Sequence, residues 1–241
     1  PHSTRGNNVT IKVEAINRST AKINLTSIAI ESIGISKPLN TKLENNISSK
    51  FEYEGTIPAN LEYTNPYWLN APGTLGMYTV TQQNLIGTPE TKSKINELFN
   101  LNIEGVTIPF DKNVVYKTND PVKGEVYKPF EIIPIISASI KDKVIIYANG
   151  ASKQIPVTLK AGKTNIKGEV TLSHPDGWKV SPDHDTIDFA QEGEEKTIFF
   201  TLTSPENQSE GYIAPLVTVN NKAYSEELVH INYDHITYQT V

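Results

Sequence analysis

Three prolines fall within the fourteen residues from Pro121 to Pro134, and that run constrains everything on either side of it. Proline fixes φ and has no backbone N–H, so a stretch punctuated by Pro121, Pro129 and Pro134 cannot be a helix interior or the middle of a sheet. Each residue before a proline is pushed towards an extended conformation as well. Val126, Phe130, Ile132, Ile133, Ile135 and Ile136 make the same run apolar, so it has to pack. The expectation is a stiff, extended hinge that closes one β-rich unit and feeds the first strand of another.

The flanks read as strands. Val9, Ile11, Val13 and Ala15 alternate in NVTIKVEAI, the period of a half-buried strand. From Ala21 to Ile35 the apolar positions change register near Thr26-Ser27, which predicts a bulge. Residues 36–48 are polar and read as a loop, and Phe51–Ile57 as a further strand closed by Pro58. Residues 79–96 are loop-like, Ser93–Phe99 could make at most two helical turns, and Leu98–Phe110 and Val114–Lys117 read as the last strands of this unit.

Beyond the hinge, strands are expected at Ile135–Ile140, Val144–Tyr147, Gln154–Leu159, Ile166–Leu172, Thr186–Phe189, Thr197–Leu202, Ile213–Val219 and Tyr224–Ile231. Turn residues such as Asn149-Gly150 and Asn220-Asn221 separate them. The pattern predicts an all-β chain of two tandem antiparallel sandwiches. Their expected bounds are 1–132 and 133–231, with 232–241 as a linker tail.

Composition excludes several function classes. Lys and Arg number 22 against 27 Asp and Glu, and no basic stripe appears, which argues against a nucleic-acid partner. With no cysteine there are no disulfides, thiolate nucleophiles or thiolate zinc sites. No run approaches the roughly 20 apolar residues of a membrane span. The chain starts without Met and stops directly after a strand-like run, so both ends read as cut from a longer protein.

Signals for chemistry are sparse. His174 and His184 flank one loop, with Asp176, Asp183 and Asp185 nearby, without the spacing of a zincin helix or the ligand density of a calcium loop. Glu52, Glu54, Glu62, Glu104 and Glu125 lie in or near strands, where a glycosidase pair would have to converge. No Gly-x-Ser-x-Gly or phosphate-cradling glycine motif occurs. The candidate binding residues are the aromatics Tyr63, Tyr67, Trp68 and Tyr78. They read either as a sugar-stacking platform or interface anchor, or as a loop folded over the sandwich with Trp68 as its plug. Trp178, just after the turn Pro175-Asp-Gly177, is expected to pack into the end of the second sandwich.

Two resemblances rest on these residues. Pro175-Asp-Gly-Trp-Lys-Val-Ser-Pro182, Phe189, Gly193 and Thr197-Ile-Phe-Phe-Thr-Leu-Thr-Ser-Pro205 resemble the NPCBM-associated domain of α-galactosidases, which implies an immunoglobulin-like sandwich. Asn65-Pro-Tyr-Trp-Leu69, Pro72-Gly-Thr-Leu-Gly-Met-Tyr78, Val115–Tyr127 and Tyr233-Asp-His-Ile236 resemble the region after the catalytic domain of large Bacteroidetes-type PIG-L (LmbE-like) deacetylases. That family's zinc site uses a His-Pro-Asp-Asp motif, whereas His174-Pro-Asp-Gly177 lacks the second aspartate. No catalytic or zinc residue carries over, and no cofactor is expected. The resemblance implies a non-enzymatic accessory region that spaces or docks a zinc-dependent N-acetylglucosaminyl deacetylase domain of the same polypeptide. It also implies a periplasmic, cell-surface or secreted location. The alternative is a carbohydrate-binding module built on the aromatic cluster, with a glycan as partner.

Overall fold

The computed structural model describes residues 2–89, 91–233, 235–236 and 238–240; Pro1, Glu90, Asp234 of the tail motif, Thr237 and Val241 lie outside the described residues. The chain is all-β, built from several antiparallel sheets and short 3-10 turns. It divides into two compact units, Pro1–Ile133 with His230–Val241, and Pro134–Val229.

The first unit begins with β1 (His2–Thr4) and β2 (Asn8–Ile16), followed by β3 (Ile23–Ile30), β4 (Ile35–Leu43) and β5 (Ser48–Thr56). After a long irregular stretch come β6 (Asn96–Ile103), β7 (Val106–Asn113), β8 (Val115–Asp120), β9 (Gly124–Pro129) and β10 (Glu131–Ile133). β2 pairs with β5, β8 with β9, and β4-β3-β6-β7 form a four-stranded sheet. β1 runs parallel to β10, with His2 opposite Glu131.

The alternation read from β2 places Ile11 and Val13 in the core, with Val9 and Ala15 packed against it. Opposite them, Tyr53 pairs with Ile11 and Phe51 with Val13, and the two rings stack at 6.5 Å. In β3, Leu25 and Ile28 are both fully buried, which strict alternation forbids. A register shift between Leu25 and Ser27 absorbs the odd residue, as the pattern predicts. Thr26 Oγ1 donates to the Asn100 carbonyl at 2.8 Å and Asn100 Nδ2 to Ser27 Oγ at 2.8 Å, pinning the bulge.

Residues 36–48, expected as a loop, instead supply most of β4. Ile35 and Leu43 are buried at its ends, and Leu39 packs on the core between them. The polar residues are tolerated because β4 is an edge strand, and Pro38 sits opposite Ser27 at the bulge, where a missing N–H costs least. Within Ser93–Phe99, strand β6 replaces the expected helical turns from Asn96 onward.

The proline run is not one extended hinge. Its first part is a hairpin turn, where the Asp120 carboxylate accepts the N–H groups of Val122 and Lys123, each at 2.8 Å. Those two bonds hold the Asp120 carboxyl below its ordinary pKa. Pro129 ends β9, and Pro134 separates β10 from the next strand. The expected packing holds: Ile132, Ile133 and Ile136 are buried.

The second unit contains β11 (Ile136–Ile140), β12 (Ser152–Ala161), β13 (Ile166–Ser173), β14 (Lys179–Ser181), β15 (Asp185–Phe189), β16 (Glu195–Thr203), β17 (Ala214–Val219) and β18 (Lys222–Tyr224). The sheets are β11-β12-β16-β14 and β15-β13-β17-β18. Inward residues of both, led by Phe189, Phe200, Leu159, Val170 and Val217, merge into one core. Asn220 and Asn221 both have positive φ, 50° and 62°, as a tight hairpin between β17 and β18 demands. Val144–Tyr147 is not a strand. Ile145 and Tyr147 reach the core, but the segment joins no sheet, and Val144 and Ile146 are exposed.

Residues 232–241, expected as a linker, carry β20 (Gln239–Thr240), which pairs with β19 (His230–Ile231) and belongs to the first unit.

Candidate functional site

The aromatic residues do not form one platform. Pro66 leads into a 3-10 turn over Tyr67–Leu69. The Tyr67 N–H donates to Thr91 Oγ1 at 3.0 Å and its hydroxyl to the Thr88 carbonyl at 3.3 Å. The Tyr67 and Trp68 rings meet edge to face, 4.9 Å apart at 86°, so they offer no shared plane on which a sugar could stack. Tyr63 packs on the first core and carries the Arg5 guanidinium 3.7 Å above its ring. Tyr78 is exposed elsewhere on the irregular stretch.

Trp68, half-buried, instead walls a cleft of about 90 Å³ with Pro129, Glu131, Tyr238 and Thr240. Glu131 is 3% exposed. One of its oxygens accepts the Thr240 N–H at 3.1 Å, while Oε2 is buried with no hydrogen-bond partner among the described residues. Burial raises its pKa, against the opposing pull of the Thr240 hydrogen bonds. Tyr238 OH lies 3.0 Å from His230 Nδ1 and 3.1 Å from Thr240 Oγ1, and Lys128 Nζ sits 4.8 Å above the Tyr238 ring. A small ligand group with an N–H or O–H donor suits this cleft, because Glu131 supplies the unused acceptor. Glu131 and Tyr238 were missed from sequence. The available signal was one charge inside the apolar run Phe130-Glu-Ile-Ile133.

The carboxylates named from sequence do not converge. Glu52 and Glu54 lie on the solvent side of β5. Glu62 pairs with Lys94 at 2.7 Å, which lowers its pKa, and Glu104 accepts the Lys22 N–H at 2.7 Å. Glu125 is held by Lys117 and, at 2.7 Å, by the Tyr127 hydroxyl. His174 Nδ1 sits 3.0 Å from the Pro175 carbonyl, and Gly177, with φ of 79°, occupies the place where a zinc motif needs its second aspartate. This turn does not fit the family's zinc. Among the described residues no group of three or more His, Cys, Asp or Glu is placed to hold a metal.

A second feature was invisible in the sequence. Glu97 projects from β6 on the same face as Ile95, Phe99 and Leu101, which pack in the first core. It is 8% exposed, and Oε1 has no hydrogen-bond partner. Desolvation pushes its pKa up to about 7; burial first, and the Glu97 charge second, raise that of Tyr53. Glu97 opens onto a slot of about 840 Å³ bordered by β2 and β8.

Trp178 packs on the second core as expected, edge-on to Tyr147 at 4.9 Å, with Nε1 donating to Ser209 Oγ at 3.1 Å. No family model and no curated protein matches the chain.

Proposed function

We propose that this chain is a non-catalytic accessory region of a larger PIG-L-type deacetylase, spacing or docking the catalytic domain outside the cytoplasm. In this reading both units are immunoglobulin-like sandwiches. The observation that carries it is the use of the aromatic residues. Tyr63, Tyr67, Trp68 and Trp178 are all half-buried and engaged in packing or hydrogen bonds, while each unit closes a core of its own. Such units are suited to holding a neighbour at a set distance. The test is to express the full open reading frame with and without residues 1–241. Loss of thermal stability or deacetylase activity on removal supports the reading, and an unchanged enzyme refutes it.

The cleft beside Trp68 favours a second reading, glycan binding. An aromatic wall, a buried carboxylate oxygen and the Tyr238 hydroxyl suit a sugar hydroxyl or acetamido group. Titration with N-acetylglucosamine oligosaccharides, followed by tryptophan fluorescence, tests it. A saturable signal lost in Trp68→Ala supports this reading, and a flat response refutes it.

A further inference from the structure

Among the described residues, strand β2 pairs only with β5, and β8 only with β9. Among the described residues, no backbone hydrogen bond joins the second edge of either strand to another segment. The slot between them is lined by every residue from Val9 to Glu14 and every residue from Lys112 to Asn119. Side chains of a strand alternate between faces, so an unbroken run of lining residues means that the backbone edge borders the space. Six residues of β2 span about 20 Å at about 3.3 Å each, the length of an ordinary strand.

The chemistry of the slot is equally particular. Val9, Ile11, Val114 and Phe130 bring apolar surface to it. Glu97, more than nine-tenths buried, lines it with an oxygen that has no hydrogen-bond partner among the described residues. A buried acceptor of that kind is costly unless a donor reaches it, and a cationic donor makes the strongest pair. Lys117, which also lines the slot, is already taken by Glu125. Lys12 and Lys112 stand exposed and form no ion pair with Glu97.

We propose that this slot takes an extended peptide strand that pairs with β2 and β8 at once. The strand presents a lysine or arginine to Glu97, with apolar side chains two residues to either side. Main-chain bonds to the two edges supply affinity, and the Glu97 contact sets register and selects the sequence.

The probe is a blocked synthetic peptide, Gly-Ser-Thr-Val-Thr-Lys-Thr-Val-Thr-Ser, whose Val, Lys and Val share one face. Calorimetry measures its affinity, and amide hydrogen exchange reports where it sits. The expected result is saturable binding below 1 mM with new protection in both Val9–Glu14 and Val115–Asn119. Replacing the peptide lysine by glutamate, or introducing Glu97→Gln, should each weaken binding about tenfold or more. The exchange pattern of the core amides checks that Glu97→Gln remains folded, and the glutamate peptide tests the charge on the unaltered protein. Protection on one edge alone, equal binding of the two peptides, or no binding at 1 mM overturns the proposal. Protection that grows with protein concentration in the absence of peptide assigns the slot to a second copy of the chain, and also overturns it.

Discussion

Replacing Glu97 by glutamine should flatten the pH dependence of stability. Burial pushes its carboxyl up to about 7 in the folded protein, from an ordinary 4.5. A folded pKa above the unfolded one means that the native state holds the proton more tightly. The benefit is therefore complete below pH ~4.5, is lost as pH rises through about 7, and changes no further above that. At about 1.36 kcal/mol per pKa unit the span is worth up to ~3 kcal/mol. The slot admits water on one side, so we expect about 1–2 kcal/mol. Urea unfolding of the native protein and Glu97→Gln from pH 4.5 to 8 measures it. The variant should gain about 1–2 kcal/mol on the native protein across that window, because glutamine stays neutral throughout. Glu131, whose pKa is also raised by burial, is present in both proteins and cancels. Parallel curves would show that the Glu97 carboxyl is solvated, and would sink the reasoning.

Three other perturbations test the packing. A methyl group added at Gly168 would run into the Thr218 carbonyl oxygen, so Gly168→Ala should cost about 1–3 kcal/mol, read from urea unfolding. Phe200, fully buried in the second core, should cost about 3–5 kcal/mol when cut to alanine, with exchange rising among amides of β12 and β16. Glu131→Ala removes the acceptor of the Thr240 N–H, so the Thr240 amide should exchange about tenfold faster while β12–β16 amides are unchanged.

Strand content was legible where side chains alternate over several residues, as in β2, or where a register change has a single cause, as at Thr26-Ser27. It was not legible in β4, whose edge position lets Pro38 and the polar residues around it remain in a strand. Val144–Tyr147 failed for the opposite reason. It has the alternating pattern without a pairing partner, and partners are set by residues far away in sequence. The binding features were hidden by the same kind of distance. Glu131 becomes interesting only because Thr240, 109 residues later, donates to it. Glu97 becomes notable only because Ile95 and Phe99, two residues to either side of it, pack in the core.

The contact between Glu131 and Thr240 also sets an order of events on the ribosome. At roughly 5–20 residues per second, the interval of 109 residues between them takes about 5–20 s to synthesise. All of Pro134–Val229 emerges within that time. The first unit thus cannot make the Glu131–Thr240 bond until the whole of the second has been synthesised. The segment that starts first is the one that finishes last.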